Sequence, residues 1–256
     1  MGVLTNDSTK QLIASCMSAS QSRIEFWAEF IHHTKIQRMV EVGVWKGDFA
    51  VNILQRCDCV NKYFMVDPWR HLDNWNKPAN QNDALLDSFY EMTKARTEFA
   101  KDRRVILRGK TTEVIDQIKD GELDFAYIDG DHTLKGIAID MVRVYPKIRT
   151  GGFLGGDDFS RTIWSHRTSF EPTLVFPFAV YFAEAVGATI YSLPNIQFLL
   201  HKTEQRTFGF VDLVGQYDDL SLRSHVTPEK MIRLFLGEKF PRLLGLFRKI
   251  RQTVSS

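Results

Sequence analysis

The chain has 256 residues, enough for one large domain with a full core and no need of covalent staples. Lys and Arg number 33 against 31 Asp and Glu, a net charge of +2, which argues against nucleic-acid binding through bulk charge. Apolar residues make up 44% and charged residues 25%, the proportions of a soluble globular protein, and no apolar run is long enough to span a bilayer. The three cysteines, Cys16, Cys57 and Cys59, suit a reducing compartment better than a disulfide framework. The polar start, Met1 to Lys10, carries no secretion signal, so a cytoplasmic location is expected.

Residues 9 to about 34 set Leu12, Ile13, Cys16, Met17, Ile24, Trp27, Phe30 and Ile31 at helical spacing. Met39 to Gly43 reads as a short buried strand, and Phe49, Ala50, Ile53 and Leu54 repeat as one face of a helix starting near Gly47-Asp48. Tyr63 to Val66 is a second apolar run, stopped by Asp67-Pro68. Val105 to Leu107 is a third and Phe125 to Ile128 a fourth, ended by Asp129-Gly130. Leu134, Ile137, Ala138, Met141 and Val142 then mark a helix that finishes before Pro146. Gly151 to Gly156 supplies a fifth strand, and a helix follows near Phe178 to Val186. Only Leu193-Pro194-Asn195 separates Ala188–Ser192 from Ile196–Leu200, too little for a crossover, so these last two strands pair antiparallel.

Short apolar strands alternating with amphipathic helices imply an α/β fold. The expectation is a doubly wound sheet of seven strands, mostly parallel, with a C-terminal antiparallel hairpin and helices on both faces. Residues 1–35 read as an N-terminal helical cap, 36–202 as the main domain and 203–256 as a C-terminal helical extension. In that extension Thr227-Pro228-Glu229 has the form of a helix start. The basic, apolar stretch from Phe240 to Arg251 reads as a helix packed on its own domain or on a second subunit in preference to a membrane surface, which leaves a homodimer through the N- or C-terminal helices open.

Ligands of open parallel sheets bind beyond the carboxyl ends of the strands. Here those ends carry Gly43 to Gly47, Asp67, Gly109 with Thr111 and Thr112, Asp129 to His132, and Asp157-Asp158. Val44-Trp45-Lys46 takes the middle of what would be a dinucleotide fingerprint, leaving two glycines at a sharp turn. Asp67 lies 24 residues past Gly43, near the spacing at which a carboxylate accepts ribose hydroxyls.

Four segments, Glu41 to Ala50, Val66-Asp67-Pro68-Trp69, Tyr127 to His132 and Gly151 to Asp158, together resemble the class I S-adenosylmethionine-dependent methyltransferases. The likeness covers roughly residues 36 to 202. It is strongest to the metal-dependent small-molecule O-methyltransferases grouped with macrocin-type sugar methyltransferases, distant relatives of catechol O-methyltransferase, and implies a Rossmann-like fold. By that resemblance Gly43 and Gly47 line the methionine and sulfonium, with Glu41 supporting their loop. Asp67 holds the ribose, Trp69 covers the nucleoside, and Gly109, Lys110 and Thr111 face adenine. Asp129 contacts the cofactor and, with Asp157 and Asp158, ligates Mg²⁺ or another divalent cation; Asp131 is the alternative to Asp129. His132 is the implied general base. Residue chemistry agrees: converging carboxylates repel unless a cation neutralises them, and oxygen ligands suit a hard ion that acidifies a bound hydroxyl.

The implied reaction moves a methyl group to a hydroxyl of a small molecule, a sugar or glycosylated metabolite first and a phenol next. The N-terminal helices, the polar insertion from Trp69 to Ser88 and the loop from Phe159 to Pro177 are the segments expected to set specificity. Arg70, His71, Asn74, Trp75 and Asn76 in the insertion suit a sugar, and equally an ordinary capped loop. His32-His33, His166 and His201 show no partner spacing and are assigned to surface or packing, and Cys57-Asp58-Cys59 to a helix end. Two other readings stay open: a hydroxylase-like enzyme on the same scaffold, and a non-catalytic relative serving as a binding or assembly partner.

Overall fold

The computed structural model describes residues 5–217 and 226–240. Its parallel strands are β1 (Arg38–Val42), β2 (Lys62–Asp67), β3 (Arg104–Arg108), β4 (Leu123–Ile128) and β5 (Ile148–Gly156). The sheet continues with β6 (Thr189–Leu193), β7 (Gln197–His201) and β8 (Gly209–Asp212), in the order β3-β2-β1-β4-β5-β7-β6-β8. β7 runs antiparallel to both β5 and β6, as the three-residue gap requires. Strand order reverses between β1 and β4, which opens a crevice at the carboxyl ends of the sheet.

Successive strand residues point to opposite faces, and the core divides accordingly. Met39, Tyr63, Met65, Phe125 and Tyr127 meet one layer, formed by α1 (Asn6–Ala19), α2 (Arg23–Thr34), α3 (Asp48–Arg56) and α4 (Asp83–Arg96). Val40, Val42, Phe64, Val66, Ala126 and Ile128 meet the other, formed by α5 (Thr111–Val114), α6 (Leu134–Val144) and α7 (Val175–Val186). Trp27 of α2 is fully buried and lies directly on β5, where a Cβ on Gly155 would come within 2.4 Å of its ring. The N-terminal helices therefore belong to the core of the sheet's first face.

Two elements depart from the sequence expectation, and the N-terminal helices gain their boundaries. The helical stretch from residue 9 to 34 is two helices, because Ser20 ends the first and the Ser22 hydroxyl accepts the Glu25 N–H (3.2 Å) to start the second. Helix α4 occupies part of what reads as a polar insertion. Asn82 caps it, and it buries only Leu86, Phe89 and Thr93, too few to make a clear apolar stripe. Among the described residues the sheet has eight strands instead of seven: β8 is four half-buried residues pairing in parallel with the outer edge of β6. The Thr227 cap and its helix α8 (Pro228–Lys239) are present as expected, but α8 buries none of its residues. Residues 241–256 lie outside the described residues, so most of the Phe240–Arg251 stretch does too.

His201 at the end of β7 is completely buried, stacked on Phe153 at 4.5 Å with its Nδ1 3.2 Å from the Thr9 hydroxyl. Burial lowers its pKa from 6.5 to about 4. Between those values the unfolded chain takes up a proton that the native ring refuses, so stability rises with pH across the window. His201→Phe is expected to flatten that part of the urea-midpoint profile; a slope equal to the parent's would contradict it.

Candidate active site

A cavity of about 600 Å³ opens at the carboxyl ends of β1 to β4, and all five sequence-predicted strand ends border it or touch a residue that does. The β1 end turns under tight constraint. Gly43 has φ +89°, and a Cβ there would lie 2.1 Å from the carbonyl oxygen of Asp129, so only glycine lets the β1 and β4 loops meet. Gly47, with φ +75°, begins α3. Trp45, Trp69 and Asp158, all on the cavity wall, hold left-handed backbone (φ +51°, +40° and +57°), a costly conformation for side chains of this kind.

Asp67 holds this strained loop. Its Oδ2 accepts the N–H groups of Val44 (2.9 Å) and Trp45 (2.8 Å), and its Oδ1 that of Trp69 (2.8 Å). Burial raises its pKa, against the pull of those three donors. Trp69 is buried and gives its indole N–H to the Trp45 carbonyl (2.7 Å), bracing the loop from behind. Glu41 is buried at the cavity floor, accepts the Tyr63 hydroxyl (2.8 Å) and is driven well above the usual carboxylate range by desolvation. On the β3 side the Gly109 N–H bonds the Asp67 carbonyl (3.0 Å) and the Thr111 hydroxyl donates to Asp140 (2.5 Å). Lys110 is half-exposed beside them. Asp140 is a cavity residue that sequence reading missed; burial raises its pKa to about 7. Its place on the inward face of α6, one residue from Met141, is the signal that was available.

Asp129, Asp157 and Asp158 do come together, but each is matched by a protein group. His132 pairs through Nδ1 with Asp158, and its Nε2 lies 3.3 Å from Asp129. Arg23, at the start of α2, pairs with Asp157 and lies 3.7 Å from Asp129. The other oxygen of Asp157 accepts the Asp158 N–H (2.7 Å) and the Gln197 amide. Gln197 is itself fixed by Trp27 Nε1 (2.9 Å) and the Tyr127 hydroxyl (2.8 Å). Asp131 turns toward the start of α6, where it accepts the Thr133 N–H (2.9 Å). A divalent cation needs several oxygen lone pairs aimed at one point. Here five of the six oxygens in the trio face a protein cation or N–H. Among the described residues no three His, Cys, Asp or Glu side chains are disposed to hold a metal, so the arrangement does not fit the implied Mg²⁺.

Burial disfavours a charge on His132, but Asp129 and Asp158 on either side more than offset this and raise its pKa to about 10. The ring is thus an imidazolium in the resting site, and the base role requires it to lose that proton first. Its Nε2 is buried and faces Asp129 at 3.3 Å without an aligned hydrogen bond. His166, assigned from sequence to surface or packing, faces the cavity instead. All three segments expected to set specificity reach the wall, through Arg23, Trp75, Lys77 and His166. Lys77 is buried and ties two of them together, donating to the carbonyls of Glu171 (2.8 Å) and Pro172 (3.3 Å) and to the Thr173 hydroxyl (3.2 Å).

Residues 40–159 match a family model described as a methyltransferase domain. The matched span runs from β1 to just past β5 and so contains most of the cavity wall. No curated protein matches the chain. Among solved structures, an O-methyltransferase from Bacillus cereus in complex with SAH is similar at 12% identity and a TM-score of 0.51, over 78% of this chain and 93% of that one. The SAH-bound methyltransferase PaMTH1 from Podospora anserina is similar at 10% identity and 0.51, over 80% and 99%. TomG, an O-methyltransferase from Streptomyces achromogenes involved in tomaymycin synthesis and bound to SAM, is similar at 12% and 0.50, over 75% and 90%. At such identities the likeness is one of fold, and it establishes the Rossmann-like architecture of the chain.

Gly43→Ala forces a Cβ onto the Asp129 carbonyl in a left-handed backbone, and is expected to cost about 2 kcal/mol or more of stability. Urea denaturation checks this, and parent-like stability would contradict the close approach.

Proposed function

We propose that this methyltransferase uses S-adenosylmethionine to methylate a hydroxyl group of a small molecule, a sugar or glycosylated metabolite first and a phenol next. The observation that carries the reading is one cavity bordered by the glycine turn, Asp67 and the β4 end, with His132 held between Asp129 and Asp158 on its wall. Bound there, the donor supplies an electrophilic methyl group on a sulfonium. Gly43, Gly47 and Glu41 would meet its amino-acid end, Asp67 its ribose, and Gly109, Lys110 and Thr111 its adenine.

The chain's own residues do the rest. The Nε2 of His132, 3.3 Å from Asp129 without an aligned hydrogen bond, would meet the acceptor hydroxyl. His132 then takes up the proton released as the hydroxyl is alkylated, once its resting proton has left to solvent. Trp75 and Arg70, also on the cavity wall, mix apolar and polar groups, which suits a sugar. Most of the rate enhancement in such a site is positioning and charge placement.

S-adenosylhomocysteine is expected to bind in calorimetry at micromolar strength or better. Asp67→Ala is expected to weaken it at least tenfold, since it frees the N–H groups of Val44, Trp45 and Trp69. No heat of binding at millimolar ligand would overturn the reading. Labelled donor screened against sugar and phenol acceptors identifies the substrate class. With an active acceptor, His132→Gln is expected to lower kcat by about 10²-fold while SAH affinity stays within a factor of three, the scale of a lost general base.

A further inference from the structure

Arg23 carries the charge arrangement of the site in a way that the resemblance does not anticipate. It comes from outside the matched domain, at the first position of α2, yet its guanidinium reaches the cavity wall. One turn later on the same face Trp27 donates to Gln197, and Gln197 donates to Asp157. Helix α2 therefore grips Asp157 twice, directly through Arg23 and through Gln197. Trp27 is completely buried and packs on Phe125 and Tyr127, so the helix has little freedom to withdraw its arginine.

We propose that Arg23 is the built-in counter-ion of the Asp129–Asp157–Asp158 cluster, standing where a divalent cation would otherwise sit and holding those carboxylates in register with the acceptor. The guanidinium is always charged and supplies several donors in a fixed fork, so it compensates two carboxylates without needing an ion from solution. It faces an oxygen of Asp157 and one of Asp129, so two of the three carboxylates already have a fixed positive partner. The guanidinium side chain keeps about a third of its surface exposed (37%), which leaves it able to meet a substrate oxygen as well. This rests on reading the cavity as a methyl-transfer site, but its test does not depend on turnover.

The experiment titrates the full-length chain with Mn²⁺ at neutral pH and follows free ion by electron paramagnetic resonance. The parent protein is expected to leave Mn²⁺ free up to the millimolar range. Arg23→Met is expected to gain one site at least tenfold tighter, which Asp157→Asn in the same chain removes, while Arg23→Lys behaves as the parent. With labelled donor and an active acceptor, EDTA is expected to leave parental turnover unchanged, and Arg23→Lys to recover most of what Arg23→Met loses. Tight stoichiometric Mn²⁺ binding by the parent, abolished by Asp157→Asn, would overturn the assignment even if Arg23→Met fails to fold. So would a folded Arg23→Met variant that gains no site. Failure of SAH to bind the parent would instead remove the methyl-transfer reading and leave the Mn²⁺ result standing on its own.

Discussion

One desolvated carboxylate, Asp67, sets the shape of the pocket. A backbone that enters the left-handed region at Trp45 and again at Trp69 needs compensation of about 1–3 kcal/mol at each position. Asp67 provides it, receiving Val44, Trp45 and Trp69 N–H groups that would otherwise face a cavity with no partner. Because the same residue closes β2 and its carbonyl accepts the Gly109 N–H, three adjacent strand ends are fastened through it. The raised pKa of its carboxyl is the electrostatic cost of using a buried group in this way.

A second fastening works from the opposite side of the crevice. Trp27, Tyr127, Gln197 and Asp157 form a chain of buried hydrogen bonds joining α2, β4, β7 and the end of β5. Buried polar groups linked like this are costly if any member is lost, so they favour one arrangement of the elements over its neighbours. The antiparallel strand β7 thus contributes to the site, since Gln197, its first residue, orients an acidic side chain.

Much of this was legible in the sequence, for reasons that differ from element to element. The parallel strands announced themselves because both faces are buried, which makes Phe125 to Ile128 or Tyr63 to Val66 continuous apolar runs. The hairpin followed from a connection too short to cross over. The strand-end residues were readable because topology alone sends them to one crevice, and Asp67, Asp129 and Asp158 are indeed there. What stayed hidden depended on partners distant in the chain. Arg23 looks like any charged residue opening a helix, and nothing near it in sequence indicates that it meets Asp157. Lys77 sits in a polar segment where a solvated side chain is the ordinary outcome, yet it is buried by chain some 95 residues on. Strand β8 is too short and too exposed to alternate.

The Lys77 clasp has an evolutionary consequence. Its ammonium is buried against oxygens supplied entirely by residues 171–173, so neither the segment around Lys77 nor that stretch is a self-sufficient module. Exchange of one without the other would strand a cation among apolar neighbours or leave carbonyl groups dry and unmatched. The two stretches of this part of the cavity wall are therefore one unit, and a change in either is tolerated only with a matching change in the other.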